Sequence, residues 1–256
     1  MKIIFYVLTL GFIISGCNNV TLTNIFSQKP SLSKGLIAYY PFNGNTNDLS
    51  GNQNNGIAIN NYTFINGVND KAIYVVGQNR TFSTSGGYVI IPKIDTANLK
   101  DLSISLWVKE DTLYVPEAGE AYIIFGNNEN MGWCGIVHFY GKIQFAVGAK
   151  PNQNIIEAVN PIAIDFDNSF IHKWVFYTLV YSDGYLTAYI NSIPQAGIRQ
   201  KLQISGNKAF IASHIWSGIY AGQSTRLSGA IDEVRIYNRA LSDYEIHELY
   251  LEGESN

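Results

Sequence analysis

The chain has 256 residues, with 17 Lys and Arg against 20 Asp and Glu, a formal net charge of -3 and a charged fraction of 14%. Hydrophobic residues make up 46% of the chain, which supplies enough apolar surface for a sizeable core and argues against general disorder. No run of basic residues offers a surface for a phosphate backbone, so we expect no nucleic-acid partner.

The first segment has the pattern of a secretory signal. Met1-Lys2 gives a short positive start, and the apolar run over residues 3–14 is too short to span a membrane as a helix. The sequence Ile14-Ser15-Gly16-Cys17 resembles the lipobox of bacterial lipoproteins, which implies a signal peptide over 1–16 and lipidation of Cys17. An ordinary signal peptide followed by a chance Cys is the alternative.

The polar stretch that follows the lipobox predicts a flexible tether over 17–34, which begins with the lipidated Cys17. We therefore expect a lipoprotein anchored in the outer membrane or on the surface of a bacterium. If Cys17 carries lipid, Cys134 has no disulfide partner. Cys134 has no basic neighbour to lower its pKa, so we expect it to be a small buried hydrophobic residue.

From residue 35 onward, short runs rich in β-branched and aromatic residues are separated by Gly, Asn, Asp and Pro. This pattern predicts an all-β domain over 35–252, built as a sandwich of two antiparallel sheets. The predicted strands are 36–42, 72–76, 88–91, 103–109, 122–125, 136–140, 142–147, 173–181, 185–191, 208–212 and 230–237.

Side-chain alternation assigns the faces of two of these strands. In the run 103–109, Ile104, Leu106 and Val108 share one face, which predicts a half-buried strand. The run 173–181 is apolar on both faces and is therefore expected to be central and covered on both sides.

Turn and helix signals complete the pattern. Ser182-Asp183-Gly184 predicts a tight hairpin because Gly accepts the positive φ that such turns need, and Tyr140-Gly141-Lys142 is a weaker signal of the same kind. Ser242 and Glu245 have the spacing of a capping box ahead of an apolar stripe, which predicts one short C-terminal helix.

Three stretches of the chain resemble a known family. They are GLIAYYPFNGNTNDLSGN at 35–52, SISLWVK at 103–109 and GAIDEVRIYNRALS at 229–242. Together they are similar to bacterial laminin G-like domains of the concanavalin A-like lectin/glucanase type, over residues 35–251. The resemblance implies a pentraxin-like jelly-roll sandwich whose first and last strands lie side by side. Because this fold carries sugar-binding modules, protein-binding modules and glycosidases, it does not fix the activity.

The opening stretch offers a candidate metal site. Residues 43–55 contain six Asn together with Asp48, a composition rich in the oxygen ligands that Ca²⁺ prefers. The family resemblance implies a structural Ca²⁺ between this loop and the closing strand, with Asp48 and Asp232 as carboxylate ligands. Asn43, Asn45 and Asn54 are the weaker candidate ligands. The alternative is a cluster of turns in which Asn side chains bond their own backbone.

Aromatic residues outside the predicted strands are the candidate carbohydrate-binding residues. Trp133, Trp216, Tyr220 and Tyr114 lie in stretches that contain Gly or Asn or precede a Pro, and an exposed ring there could stack on a sugar. Each of them could instead be packed beneath a loop. Trp107 and Trp174 are expected in the core or on a sheet face.

Carboxylate spacing argues against catalysis. A retaining glycosidase needs two carboxyl groups about 5 Å apart, and no Glu-x-Asp-x-x-Glu pattern occurs in the chain. Adjacent residues of a regular strand point to opposite faces, so Asp232 and Glu233 should not act together. Asp165 and Asp167 share a face but begin a turn. The four His residues are scattered and offer no zinc-binding pair.

These observations favour a non-catalytic binding module at the cell surface, with carbohydrate as the first hypothesis for its ligand. An adhesive or assembly module that binds a protein partner is the alternative. A glycoside hydrolase is the third possibility, for which Asp165, Asp167 and Glu157 would be the first residues to consider.

Overall fold

The computed structural model describes residues 31–77, 86–94, 98–111, 119–125, 134–139, 141–148, 151–152, 155–156, 161–202, 204, 207–212 and 227–254. These residues form two antiparallel sheets and one α-helix, which confirms the predicted all-β jelly-roll sandwich.

The first sheet has eight strands. They are β1 (Leu36–Tyr40), β3 (Tyr62–Asn66), β4 (Lys71–Val75), β6 (Leu102–Glu110), β13 (Val175–Ser182), β14 (Tyr185–Ile190), β15 (Ile193–Arg199) and β17 (Gly229–Tyr237). The order is β15-β14-β13-β6-β17-β4-β3, and β1 pairs with β17 beside β4. The prediction that β13 is central is confirmed, and so is the pairing of the first and last strands.

The second sheet has seven strands. They are β2 (Ile57–Ile59), β5 (Tyr88–Ile91), β7 (Gly119–Phe125), β8 (Cys134–Phe139), β9 (Lys142–Val147), β12 (Ile162–Asp165) and β16 (Ala209–Ile211). The order is β12-β9-β8-β7-β16-β5-β2. A small separate ribbon joins β10 (Pro151–Asn152) to β11 (Ile155–Ile156).

The apolar side chains between the two sheets form the main core. Cys134 is fully buried in it, as predicted, and burial raises the pKa of its thiol well above the usual range. Both predicted hairpins are present. Asp183 and Gly184 have φ values of 50° and 77° in the first, and Gly141 has a φ of 69° in the second.

Helix α1 (Asp243–Glu254) packs on the outer face of the eight-stranded sheet, where its residues join a second apolar cluster with Trp107 and Phe176. The predicted capping box is confirmed, because Ser242 N donates to Glu245 Oε2 at 2.9 Å and Glu245 N donates to Ser242 Oγ at 3.3 Å. Among the described residues, no helix is both long enough and apolar enough to cross a bilayer.

The helix explains one wrong prediction. The run 103–109 was expected to be half-buried, but Ser103 and Ser105 are fully buried because α1 and the segment before it cover this face of β6. Ser103 Oγ donates to Arg239 O at 2.8 Å and accepts from Leu241 N at 2.9 Å, which satisfies a hydroxyl that alternation alone assigned to solvent.

Strands β2, β3, β12 and β15 and the two-residue strands β10 and β11 are absent from the predicted set. β15 carries Pro194 and Gly197, and it lies at the edge of its sheet, where a missing N–H donor is tolerated. Its pairing with β14 contains a register shift between Ala188 and Tyr189. An edge position and an irregular register are tertiary features, so sequence propensity alone did not indicate this strand.

The register defines two ends of the sandwich. Glu110 at the end of β6 pairs with Gly229 of β17, and Ser103 near the start of β6 pairs with Tyr237. We call these the Glu110 end and the Leu102 end. The side chain of His138, near the last residue of β8, contacts Glu110 across the core. Cys134, the first residue of β8, therefore lies toward the Leu102 end.

Candidate functional site

The opening loop covers the edge of β1 that does not face β17. Tyr39 N donates to Asp48 Oδ1 at 2.9 Å, and Tyr39 O accepts from Leu49 N at 2.8 Å. Ile37 O accepts from Asn54 Nδ2 at 2.7 Å. The loop therefore supplies the backbone of β1 with the partners that a neighbouring strand would otherwise provide.

Asp48 is the centre of this loop. Its side chain is buried, and its two oxygens accept four hydrogen bonds, with distances of 2.8–2.9 Å. The donors are Tyr39 N and Ser50 N on Oδ1, and Ser50 Oγ and Asn54 N on Oδ2. Asp48 N in turn donates to Asn55 Oδ1 at 2.9 Å. One carboxylate thus fixes the positions of residues on both sides of the loop.

The Asn side chains of the loop use only part of their hydrogen-bonding capacity within the loop. Asn52 Nδ2 donates to Leu36 O at 3.0 Å, Asn54 Nδ2 donates to Ile37 O, and Asn55 Oδ1 accepts from Asp48 N. Each of the three amides is therefore held by one of its two groups. The Oδ1 atoms of Asn52 and Asn54 and the Nδ2 of Asn55 make no hydrogen bond within the described part of the chain.

These amides form one wall of an open cleft of ≈ 770 Å³ toward the Leu102 end of the sandwich. The opposite wall consists of Pro92, Lys93 and residues 98–101, which lie on the connection between β5 and β6. Ile37 and Asn238 complete the lining. The cleft combines fixed polar groups with small apolar surfaces, which is the usual composition of a ligand-binding site.

The cleft residues were only partly indicated by the sequence. The composition of the Asn-rich stretch 43–55 predicted a metal-binding loop. Lys93, Lys100 and Asp101 belong to a connection without a recognisable motif. They join the cleft because β5 and β6 end and begin beside the opening loop, in different sheets.

The hydrogen bonds of the opening loop do not fit a Ca²⁺ ion on the predicted ligands. Both oxygens of Asp48 face N–H or O–H donors, and a donor hydrogen occupies the place that a cation would need. Asn43 Oδ1 accepts from Lys71 N at 3.1 Å, and Asn45 Oδ1 accepts from Asn47 N at 2.9 Å. Within the described ranges, no group of three or more His, Cys, Asp or Glu side chains could hold a metal.

Asp232, the second predicted carboxylate ligand, anchors a turn between β3 and β4. Its Oδ2 accepts from Val68 N at 2.9 Å and Asn69 N at 3.4 Å, and its Oδ1 accepts from Glu233 N at 2.8 Å. Burial is the main cause that raises the pKa of Asp232 to about 8, and the nearby Glu233 carboxyl adds to it. The three backbone donors act in the opposite direction. The family resemblance thus implies an ion that the hydrogen bonds of Asp48 and Asp232 do not fit, and the effect of calcium on the melting temperature tests it.

The regular alternation assumed for Asp232 and Glu233 is wrong, because β17 contains a bulge there. Its pairing with β6 shifts register between Asp232 and Arg235, and Glu233 has a φ of 53°. The bulge lies where the partner on the other edge of β17 changes from β4 to β1. Both carboxyl groups are buried, so neither is open to a substrate.

Glu233 belongs to a buried charged cluster. Arg235 Nη2 lies 2.7 Å from Glu233 Oε2 and 3.4 Å from Glu252 Oε2 of α1. Tyr39 OH donates to Glu233 Oε2 at 2.9 Å, and the Arg235 guanidinium stacks 4.3 Å from the centre of the Tyr39 ring. The cluster ties the first strand, the last strand and the helix together, which gives these residues a structural role.

A second buried contact, which the sequence did not reveal, lies inside the Glu110 end. The carboxyl group of Glu110 accepts a hydrogen bond from Tyr122 OH and lies 3.1 Å from His138 Nδ1. Burial raises the pKa of Glu110 to about 8 and lowers the pKa of His138 to about 4. At neutral pH this is therefore a contact between uncharged groups. The predicted strand ended at residue 109, and one more step of the same alternation would have placed Glu110 on the core face.

Several predicted residues lie outside the described residues. They are Cys17, Tyr114, Trp133, Glu157, Trp216 and Tyr220. Cys134, which follows Trp133 in the chain, lies toward the Leu102 end. Asp111 follows on from β6 at the Glu110 end, where its N donates to Ser228 O, one residue after the described border Leu227 of the segment that contains Trp216 and Tyr220. The two ends of β8 are about 17 Å apart at about 3.3 Å per residue.

The remaining candidate residues make contacts that stabilise the fold. Asp165 is exposed and forms an ion pair with Lys142, and Asp167 caps the turn at Ser169. Hydrogen bonds from Ser169 lower the pKa of Asp167. Trp107 is buried beneath α1, as expected for a residue in the core or on a sheet face. The ion pair of Asp165 and the capping hydrogen bond of Asp167 engage the two carboxyl groups separately, so they do not face one substrate together.

A family profile described as "Concanavalin A-like lectin/glucanases superfamily" (Laminin_G_3) matches residues 83–247. The chain belongs to this superfamily. The resemblance is thereby confirmed at the level of family and fold, and the matched range includes the middle and closing stretches but not the opening one. No curated protein matches this chain.

Solved structures with the same fold include domain 4 of AbnA, a GH43 extracellular arabinanase from Geobacillus stearothermophilus, in complex with arabinotriose. It has a TM-score of 0.64 and 19% identity, and the match covers 84% of this chain and 98% of that one. The binding domain of botulinum neurotoxin DC in complex with rat synaptotagmin II has a TM-score of 0.66 and 18% identity, over 87% of this chain and 52% of that one.

The same toxin binding domain in complex with SialylT has a TM-score of 0.65 and 18% identity, over 87% of this chain and 52% of that one. This chain thus spans about half the length of the toxin binding domains. At such low identity, these similarities establish the fold alone.

Proposed function

We propose that this chain is a non-catalytic carbohydrate-binding module, presented at a bacterial cell surface by a lipid anchor on Cys17. The observation that carries the proposal is the cleft between residues 52–55 on one wall and residues 92–93 and 98–101 on the other. The amides of Asn52, Asn54 and Asn55 are each fixed by one hydrogen-bonded group and leave the other group open. Sugar hydroxyls need both donors and acceptors, and an Asn side chain supplies either. Because the backbone already holds these amides, little side-chain entropy is lost when a ligand binds.

The distribution of carboxyl groups supports the non-catalytic part of the proposal. Among the described residues that line the cleft, Asp101 is the single carboxylate. Hydrolysis of a glycosidic bond by the usual mechanisms needs a pair, about 5 to 10 Å apart. Glu110, Asp232 and Glu233 are buried in the contacts described above and do not line the cleft.

Proteins of the same fold add support for a glycan ligand. One of the solved relatives is in complex with arabinotriose, and another with SialylT. A third is in complex with a protein, rat synaptotagmin II, which keeps a protein partner as the alternative. The cleft favours the glycan, because its fixed polar groups match hydroxyls better than a broad apolar contact.

The position of the cleft at one end of the sandwich bears on which of the predicted aromatic residues could contact its ligand. Cys134, which follows Trp133 in the chain, lies toward the Leu102 end, where the cleft lies, whereas Asp111 and Leu227, which flank the segments with the other three residues, lie toward the Glu110 end. If an aromatic ring contributes to sugar binding in the cleft, Trp133 is the residue that we expect to matter.

A glycan array probed with the whole chain in detergent tests the proposal. We expect binding to a defined set of glycans, weakened about fivefold by Gln53→Ala, which corresponds to the loss of one hydrogen bond. Gln53 lines the cleft, and its side chain makes no hydrogen bond within the described residues, so its removal should leave the fold intact. Asn47→Ala, in the same loop but outside the cleft, is the matched control.

Trp133→Ala and Trp216→Ala are tested on any glycan found by the array. A larger loss for Trp133→Ala than for Trp216→Ala is expected. An array without any bound glycan would contradict the carbohydrate proposal and favour the protein partner. Release of reducing sugar from a bound glycan would overturn the non-catalytic part.

A further inference from the structure

One wall of the cleft carries two lysines. Lys93 directly follows Pro92 after β5, and Lys100 lies two residues before β6. Both are exposed, and neither side chain makes a hydrogen bond or an ion pair within the described part of the chain. Asp101 is the single carboxylate of the described lining, so the cleft holds an excess of positive charge.

Three other cations of the domain are held in ion pairs. Lys142 pairs with Asp165, Arg235 with Glu233, and Arg239 with Glu245. The chain as a whole is acidic, with a formal net charge of -3. Two unpaired ammonium groups in one concave site therefore create a local positive potential on a protein of opposite overall charge.

The two walls offer complementary chemistry. Lys93 and Lys100 are donors only, and they favour an anionic group. The wall across the cleft offers the remaining Oδ1 atoms of Asn52 and Asn54 and the Nδ2 of Asn55, which suit neutral hydroxyls. A ligand that satisfies both walls carries hydroxyl groups and a negative charge on one molecule.

We infer that the cleft binds an acidic oligosaccharide, with its carboxylate or sulfate group against Lys93 and Lys100 and its hydroxyl groups against residues 52–55. This inference rests on the proposed carbohydrate-binding function and narrows the class of its ligand. A lone inorganic anion would use the exposed lysines only, and solvent screens such contacts strongly. The amide wall is what selects a saccharide.

Matched glycan pairs test the inference. Each acidic glycan bound on the array is titrated calorimetrically into the whole chain beside its neutral counterpart, a methyl ester for a carboxylate or a desulfated form for a sulfate. We expect the neutral form to bind about tenfold more weakly, and the difference to shrink at high salt. Inorganic sulfate, added alone, should not compete at the concentration at which the glycan binds.

Variants locate the charge effect. Lys93→Gln and Lys100→Gln should each weaken binding of the acidic glycan roughly fivefold and leave binding of the neutral form unchanged. Lys100→Arg should restore binding, and Lys71→Gln, which removes the same charge outside the cleft, is the control.

The outcomes separate this inference from the proposed function. Equal binding of acidic and neutral forms, unaffected by the lysine variants, would overturn the inference and leave the carbohydrate proposal standing. Equal competition by inorganic sulfate would overturn it as well, because the lysines would then select an anion and not a saccharide. Absence of binding to every glycan would reject the proposed function itself.

Discussion

Asp48 and Glu110 are both buried carboxyl residues, but they are satisfied in opposite ways. Asp48 accepts four hydrogen bonds from Tyr39, Ser50 and Asn54, none of them more than 9 positions away in the chain. Glu110 contacts Tyr122 and His138, which are 12 and 28 positions away and lie in the other sheet. The first arrangement is local, and the second exists only because the sheets pack.

The difference has an electrostatic consequence. The donors around Asp48 include backbone N–H groups, whose dipoles compensate a buried carboxylate. Glu110 has two side-chain neighbours in the core, and burial there favours its protonated form. Backbone donors surround the first carboxyl group, whereas the interface between the sheets favours a neutral contact for the second.

The largest expected effect comes from removing the local arrangement. Asp48→Ala leaves Tyr39 N, Ser50 N and Asn54 N without their acceptor, and we expect a loss of about 3 kcal/mol in the free energy of unfolding. Urea denaturation measures this loss. Asn47→Ala, an exposed neighbour in the same loop, should change the free energy by less than about 0.5 kcal/mol. Equal effects of the two substitutions would show that Asp48 does not organise the loop.

The second prediction concerns pH and the contact between the sheets. The pKa of Glu110 is raised to about 8, so the folded state holds a proton that the unfolded state releases above about pH 4.5. Stability from this group is therefore lost as the pH rises toward 8. The lowered pKa of His138, about 4, acts in the opposite direction up to about pH 6.5. The net loss from the pair should appear between about pH 6.5 and 8, at about 1.4 kcal/mol per pH unit.

Glu110→Gln isolates this effect from other titrating groups, such as Asp232, which also has a raised pKa. Gln accepts from Tyr122 OH and donates toward His138 without titrating. The stability of the variant relative to the unmodified chain should increase as the pH rises from about 6.5 to 8. A constant difference across this range, measured by urea denaturation at several pH values, would mean that Glu110 is ionised in the fold.

The third expected effect is the smallest and concerns calcium. Because the oxygens of Asp48 and Asp232 already accept hydrogen bonds from the protein, we expect equal melting temperatures with calcium and with a chelator. A melting temperature that rises with calcium concentration would indicate an ion bound to the folded state and support the ligands implied by the family resemblance. In that case Asp48→Ala should abolish the rise.

Local patterns predicted a substantial part of this fold. The hairpin at Asp183 and Gly184 and the capping box of Ser242 and Glu245 depend on neighbouring residues, so their signals are complete in the sequence. The apolar character of both faces of β13 likewise indicated a central strand. The family motifs added the pairing of β1 with β17, which no single segment specifies.

The candidate site was predicted less well. The Asn-rich loop stood out by composition, but its hydrogen bonds to the edge of β1 depend on where that strand lies. Lys93 and Lys100 have no motif, and the cleft that includes them forms only when connections from two sheets meet. Alternation also failed at Glu233, because a bulge is required where the neighbour of β17 changes from β4 to β1.

The sequence by itself determined the all-β class, the hairpins, the C-terminal helix and the family, because periodicity, turn chemistry and capping act over a few residues. Tertiary structure alone decided that Ser103 and Ser105 are buried, that Glu110 meets His138, and that the Asn-rich loop faces two lysines across a cleft. Burial and electrostatic environment depend on which distant segments pack together. Such packing is a property of the whole fold, and no local window of sequence contains it.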